Sequence, residues 1–266
     1  YAFSCLLKNR ILKRVEYNLA TGSATGQGTD SLSNIENING SNYDDRLIGN
    51  GGTNILDGKS GNDTLNGGLG NDILMGGGGV DQASYEASPI AVTVNLSISK
   101  AQNTVGAGKD TLVGIENLLG SNFGDNLTGD ALDNVLEGGS GDDLLSGSLG
   151  NDVIIGGLGR DVMTGGEGID TFTFNSINES TGVNTDVITD FKAGVDKLDL
   201  SAIDANVFAS GNQGFLLISS DVAFSSAGQV KFTQGNVFAE VTGDGVADFQ
   251  ITLTGVISLG TNDIVL

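Results

Sequence analysis

From Gly40 the chain runs in nine-residue lines: GSNYDDRLI, GNGGTNILD, GKSGNDTLN, GGLGNDILM and GGGGVDQAS, ending at Ser84. The grid resumes at Gly120 as GSNFGDNLT, GDALDNVLE, GGSGDDLLS, GSLGNDVII, GGLGRDVMT and GGEGIDTFT, ending at Thr173. So short and strict a period leaves few folds open. One line cannot bury its own apolar face and needs a neighbour above and another below, which is the logic of a solenoid. A flexible Gly-rich linker does not fit, because a linker has no reason to hold an apolar residue in register through eleven lines.

Each position of a line has a physical role. Glycine at the early positions permits the positive φ of a tight turn and lets backbone carbonyls approach closely. The last three residues form a short strand whose eighth position faces the interior: Leu47, Leu56, Leu65 and Leu74, then Leu127, Leu136, Leu145, Ile154, Met163 and Phe172. If two lines make one coil, strands alternate between two parallel sheets around a single layer of side chains.

The sixth position carries Asp45, Asn54, Asp63, Asp72 and Asp81, then Asp125, Asn134, Asp143, Asp152, Asp161 and Asp170. Stacking brings carboxylates two lines apart to about one strand spacing, roughly 4.8 Å, where like charges repel or force protonation. A hard divalent ion that takes six or more oxygens relieves this, and calcium tolerates irregular geometry better than magnesium. The carbonyl-bearing turn glycines complete the expected ligand set: Gly58, Gly61, Gly67, Gly70 and Gly76, then Gly138, Gly141, Gly147, Gly150, Gly156, Gly159, Gly165 and Gly168. Pairs two lines apart give three sites in the first array and four in the second, roughly seven calcium ions. Asn54 and Asn134 carry no charge, so sites using them are expected to bind more weakly.

Composition agrees and excludes. The chain has 43 glycines among 266 residues, one proline, no histidine and one cysteine, Cys5, so many turns are expected, and no disulfide framework or usual zinc and copper ligand set. A formal charge of -21 favours cations over nucleic acid or anionic membrane as partners, and no apolar run is long enough to span a bilayer. Lys8, Arg10, Lys13 and Arg14 are interleaved with apolar residues and no small-residue cleavage site follows, so no Sec signal is read.

The lines GGLGNDILM, GGLGRDVMT and GGEGIDTF closely resemble the Gly- and Asp-rich nonapeptide of RTX proteins. The resemblance implies a parallel β-roll that folds outside the cell on meeting calcium. Segments from Val15 and Val92, each with a strand, a loop and an Ile-Glu-Asn step, resemble the spacers that join successive rolls in that family. Glu36 and Glu116 in those steps are candidates for the first ion of each array. After Thr173, STGVNTDVITDFKAGVDKLDLSAIDAN and the final AEVTGDGVADFQITLTGVISLGTNDIVL resemble the C-terminal portion of serralysin-like, type I secreted proteins. In those the last tens of residues are an uncleaved address read by an ABC exporter.

The expected fold is therefore all-β: a parallel β-roll (a β-helix-like solenoid) in two stacked arrays with a β-rich C-terminal cap. The expected divisions are an unassigned segment 1–14, spacer 15–39, first array 40–84, spacer 85–119, second array 120–173 and a capping and secretion domain 174–266. Because the first spacer has no array before it, the chain is expected to begin inside a longer protein. Asp186, Asp190, Asp196 and Asp199, and separately Glu240, Asp244 and Asp248 around a TGDG turn, are candidates for further ions, with ordinary surface turns as the alternative.

Without histidine, neither a His-Glu-x-x-His zinc site nor a Ser or Cys nucleophile with a His base can be assembled, and no Gly-x-Ser-x-Gly elbow occurs. No catalytic residue can be named. Two classes remain: a noncatalytic, secreted or cell-surface calcium module of a structural, adhesive or surface-layer protein, or the secretion and folding tail of an exported protease, lipase or alginate epimerase. Partners are then calcium and the type I apparatus, with self-association or a cell-surface polysaccharide as further classes. Ice binding fits less well, because the outward positions hold no flat file of threonines.

Overall fold

The computed structural model describes residues 14–26 and 28–266, with the backbone of Ser4 and Cys5; the unassigned segment 1–14 falls almost wholly outside the described residues. Among the described residues every regular element is a strand. The chain divides into two compact units, 1–129 and 130–266.

In the first unit consecutive lines alternate between two parallel stacks. One runs through Asn37–Asn39, Ile55–Ser60, Ile73–Gly78 and Lys109–Val113. Its register aligns Ile38, Leu56, Leu74 and Leu112. The other runs through Glu16–Asn18, Arg46–Asn50, Thr64–Gly68, Gln82–Ser84 and Asn117–Leu119, aligning Tyr17, Leu47, Leu65, Ala83 and Leu118. These side chains are all buried, and the eighth-position leucines Leu47, Leu56, Leu65 and Leu74 are 0% exposed. Each such leucine contributes roughly 1.5–3 kcal/mol of burial. A one-residue slip from the coil neighbour's register would turn the apolar residues outward, so the alternation of small turn and apolar strand fixes the coil.

The spacers use one recipe twice. Val15 N donates to Asp45 Oδ1 and Val92 N to Asp125 Oδ1, both at 2.7 Å. Two residues on, Tyr17 stands opposite Leu47 and Val94 opposite Leu127. In each case the spacer strand is the floor on which an array's first line is laid.

In the second unit, Val135–Ser140, Val153–Leu158, Thr171–Thr173, Lys197–Asp199 and Ile264–Val265 form one parallel stack, aligning Leu136, Ile154, Phe172, Leu198 and Ile264. Leu144–Leu149, Val162–Glu167, Asp186–Ile188 and Phe249–Leu253 form the other, aligning Leu145, Met163, Ile188 and Leu253. The C-terminal strands thus continue the columns begun by the nonapeptides. From Phe249–Leu253 the pairing turns antiparallel, to Asn236–Glu240 and then Gln229–Thr233. Phe174 meets Phe249 edge-on at 5.3 Å between ring centres, sealing this core with aromatic area.

Candidate metal centre

The turns between strands stack as regularly as the strands. Sixth-position residues hydrogen-bond from coil to coil: Asp45 N donates to Asp63 Oδ1 at 2.7 Å, Asp63 N to Asp81 Oδ1 at 2.7 Å, and Asn54 N to Asp72 Oδ1 at 2.8 Å. In the second unit Asn134 N donates to Asp152 Oδ1, Asp143 N to Asp161 Oδ1 and Asp152 N to Asp170 Oδ1, at 2.8, 2.9 and 3.0 Å. One carboxylate oxygen of each stacked residue is thereby spent on backbone. The fifth position adds an exposed ladder of the same kind: Asn62 N to Asp44 Oδ1, Asn151 N to Asp133 Oδ1 and Arg160 N to Asp142 Oδ1.

The second oxygen is different. Oδ2 of Asp63, Asp72, Asp81, Asp152, Asp161 and Asp170 is buried and accepts no hydrogen bond from the protein. A buried acceptor left unmade is costly, the more so when charged. Each of these oxygens faces the first-position glycine of its own line. A Cβ on Gly58 would meet Asp63 Oδ2 and, at 2.7 Å, Gly76 O; one on Gly147 would meet Asp152 Oδ2 and, at 2.6 Å, Gly165 O. Gly138 faces Asp143 Oδ2 and Gly156 O in the same way, while Gly67, Gly76, Gly156 and Gly165 face Oδ2 of Asp72, Asp81, Asp161 and Asp170. The missing side chain leaves a cradle bounded by carboxylate and, at Gly58, Gly76, Gly138 and Gly147, by a backbone carbonyl. The fourth-position glycines Gly61, Gly70, Gly141, Gly150, Gly159 and Gly168 all hold φ between +113° and +138°. That backbone excludes an L side chain, and at Gly70, Gly150, Gly159 and Gly168 a carbonyl of the preceding coil also fills the place of a Cβ. These residues fit a hard cation: oxygen donors and one uncompensated carboxylate oxygen per turn, held against a backbone where only glycine fits.

The opening lines are not built this way. Asp45 Oδ2 accepts Ser41 N and its Oδ1 accepts Ser41 Oγ at 2.9 Å; Asp125 is served by Ser121 in the same manner, with Oγ at 2.8 Å. Asn54 accepts from Asn50 N at 2.8 Å and donates Nδ2 to Glu36 O at 2.9 Å. Asn134 accepts from Asp130 N at 2.8 Å. Four of the expected ligands are thus partnered from within the chain.

Burial dominates the acidity of the columns. It pushes Asp63, Asp152 and Asp161 up to about 6, Asp72 to about 7 and Asp186 to about 8, against the pull of the backbone N–H that each accepts. Asp81, Asp110, Asp125, Asp170 and Glu179 are raised for the same first reason. Neighbouring acids add to the rise, as Asp81 and Asp45 do at Asp63.

The columns continue where the nine-residue period has ended. Asp72 N donates to Asp110 Oδ1 at 3.0 Å, Asp161 N to Asp186 Oδ1 at 2.7 Å and Asp170 N to Asp196 Oδ1 at 3.2 Å. Asp186 also has a buried Oδ2 that accepts no hydrogen bond, and the charge of the buried Glu179 pushes the Asp186 pKa further up. Asp110 and Glu179 were not singled out from sequence; Asp110 could have been, since KDTLV repeats the Asp-x-apolar step of NDTLN. Glu116 was expected at the first ion of the second array. It instead accepts Asp81 N at 2.8 Å, so it closes the first array's column.

The C-terminal candidates do not gather. Asp190 accepts Gly165 N and Gly166 N, Asp199 accepts Ser201 N, and Asp186 stands in the other column. Glu240 and Asp248 cap the amides of the TGDG turn, Glu240 accepting Asp244 N at 3.2 Å and Asp248 accepting Val241 N at 2.8 Å. Among the described residues no three acidic, His or Cys side chains converge as a metal cluster. Any cation in the turns must draw mainly on backbone carbonyls.

A family model for the RTX calcium-binding nonapeptide repeat matches four times, over residues 26–65, 48–83, 119–154 and 137–172. Both arrays are RTX calcium-binding repeats. The chain is similar to metalloprotease AprA of Pseudomonas entomophila (strain L48), with 34% identity over 89 residues. That match takes in 32% of this chain but only 18% of the protease. Among solved structures, the AlgE6R3 subunit of the Azotobacter vinelandii mannuronan C5-epimerase is 31% identical, over 54% of this chain and 78% of that one, with a TM-score of 0.40. The extracellular lipase LipA of Serratia marcescens is 19% identical, over 89% of this chain and 40% of the lipase, with a TM-score of 0.37. The RTX turns are calcium-binding elements set in a parallel β-roll.

Proposed function

We propose that this chain is a noncatalytic, calcium-folded module of a secreted or cell-surface protein. The observation that carries this is the set of buried, unpartnered Oδ2 atoms facing glycine cradles. Asp63, Asp72, Asp81, Asp152 and Asp161 would hold calcium with carbonyls of the first- and fourth-position glycines, as would Asp143 by its place on the same grid, and Asp186 would extend the set. Bound calcium supplies the positive charge and oxygen-ligand demand that these turns leave unmet. Roughly seven ions follow from pairing stacked lines. Binding energy then becomes folding energy, so the module is loose where calcium is scarce and rigid where it is plentiful. Among the described residues no helix is long and apolar enough to cross a membrane.

Residues 15–39 and 85–119 act as spacers that floor each array, and 174–266 as the cap that also carries a type I export address. Calorimetric titration tests the metal reading: calcium is expected to bind at several sites per chain and magnesium at few. Equal binding of both, or of neither, contradicts it. Fusion of 174–266 to a reporter in a bacterium with a type I exporter tests the address; a reporter retained in the cell contradicts it.

A second reading, the tail of an exported enzyme, is favoured by the similarity to a metalloprotease of which this chain matches a small part. The intact mass and sequence of the native protein separate the two. An upstream catalytic domain supports the tail, and further arrays support the structural module.

A further inference from the structure

In the second unit the turns 147–152, 165–170 and 190–196 follow one another on the same column, and the last is made differently. The parallel register sets Val187 opposite Val162 and Ile188 opposite Met163, and Thr189 Oγ1 meets Thr164 Oγ1 at 2.7 Å. Continued, it sets Asp190 over Gly165 and Phe191 over Gly166. Asp190 accepts Gly165 N and Gly166 N, each at 2.9 Å, so the chain is clamped to the turn below it. Asp196 spends both oxygens: Oδ1 accepts Asp170 N at 3.2 Å and Oδ2 accepts Lys192 N at 2.7 Å.

In the lower turns the second-position carbonyl is covered by a glycine of the next coil. Ser148 O lies where a Cβ of Gly166 would be, Gly139 O against Gly157 and Lys59 O against Gly77. Above Gly166 no glycine follows. Its carbonyl instead accepts the Lys192 ammonium. Beneath it Asp170 keeps a buried Oδ2 with no hydrogen bond. Burial, then Asp196 and Asp190, push the Asp170 carboxyl up, and Lys192 pulls it down.

We propose that Lys192 is a tethered counter-ion that takes the place of calcium in this last turn, closing the column with the chain's own charge. The inference rests on the calcium reading of the other turns. An ammonium is a compact point charge with three donors on a flexible stem, able to hold one carbonyl and neutralise one carboxylate without a full oxygen cage. At the end of the column no first-position glycine lies overhead to complete such a cage, since Asp190 occupies that place. A second cation beside the ammonium would meet like charge at short range.

Native mass spectrometry of the full chain saturated with calcium tests this. Lys192→Met and Lys192→Gln are expected to hold one ion more than the wild type, and Lys192→Arg to restore the wild-type number. Equal counts in the wild type and in both neutral variants overturn the proposal. Should the neutral variants fail to fold, anomalous diffraction from calcium-grown wild-type crystals decides: a peak is expected beside Asp152 Oδ2 and none beside Asp170 Oδ2. A peak at both overturns the counter-ion role. A wild type that binds no calcium at all overturns the calcium reading instead.

Discussion

Asp45 and Asp72 hold the same position in two nine-residue lines, and each is 1% exposed. Asp45 is wrapped by Ser41 and by the amide of Val15, whereas Asp72 gives one oxygen to Asn54 N and leaves the other bare. Asp125 repeats the first arrangement with Ser121 and Val92, and Asp152 repeats the second. Opening lines are thus anchored by protein groups, and interior lines keep a buried oxygen that no hydrogen bond serves. An array that begins on a protein-satisfied turn can be laid on its spacer strand before any ion arrives.

This contrast can be broken most forcefully at an interior turn. Asp152→Asn and Asp72→Asn should each lose one calcium per chain and raise the calcium concentration at half-folding several-fold, read by circular dichroism and native mass spectrometry. Asp45→Asn should keep the wild-type ion count. Nearly as large an effect is expected from Gly147→Ala, whose methyl group enters the space held by Asp152 Oδ2 and Gly165 O. Its calcium-saturated melting temperature should fall well below that of the wild type.

Asn54→Asp sharpens the comparison from the other side. Gly49 already faces Asn54 Oδ1 and Gly67 O, so the cradle exists, and the substitution replaces the amide that now donates to Glu36 O with a second, charged oxygen. One additional ion is expected in excess calcium, with lower stability in chelator. Ser41→Ala should cost about 1–2 kcal/mol in calcium, the value of its side-chain hydrogen bonds to a buried acceptor, and leave the count unchanged.

The smallest effect concerns protons. In chelator, the folded-state pKa of Asp63, Asp72 and Asp186 stands near 6, 7 and 8, above the ordinary carboxylate value. A raised value means that these groups favour the fold most at low pH and lose that contribution as pH rises through the raised values. Lowering the pH from about 8 to about 5 in chelator should therefore recover part of the strand signal. Strand signal that instead declines would show that these carboxyls are not what opposes folding without metal.

The eighth-position core was legible because a strict period repeats one local instruction. Where the period stops, only the Asp-x-apolar step survives, in Asp110-Thr111-Leu112, Asp186-Val187-Ile188 and Asp196-Lys197-Leu198. The structure stacks all three on the existing columns, although loops of unequal length hide the fact from a nine-residue reading. The acid column was equally plain, but the letter Asp does not say who serves its second oxygen. That depends on Ser41 and Ser121, whose place after the first glycine of an opening line distinguishes them only once the turn is seen. Glu116 was misplaced because stacking reaches it from the preceding line.

Circular dichroism of the chelated chain during calcium titration tests the central claim most directly, that buried acidic turns require calcium to hold the roll. Strand signal should rise cooperatively with calcium, fall again with chelator and fail to appear with magnesium. A full strand signal persisting at neutral pH in excess chelator would contradict it.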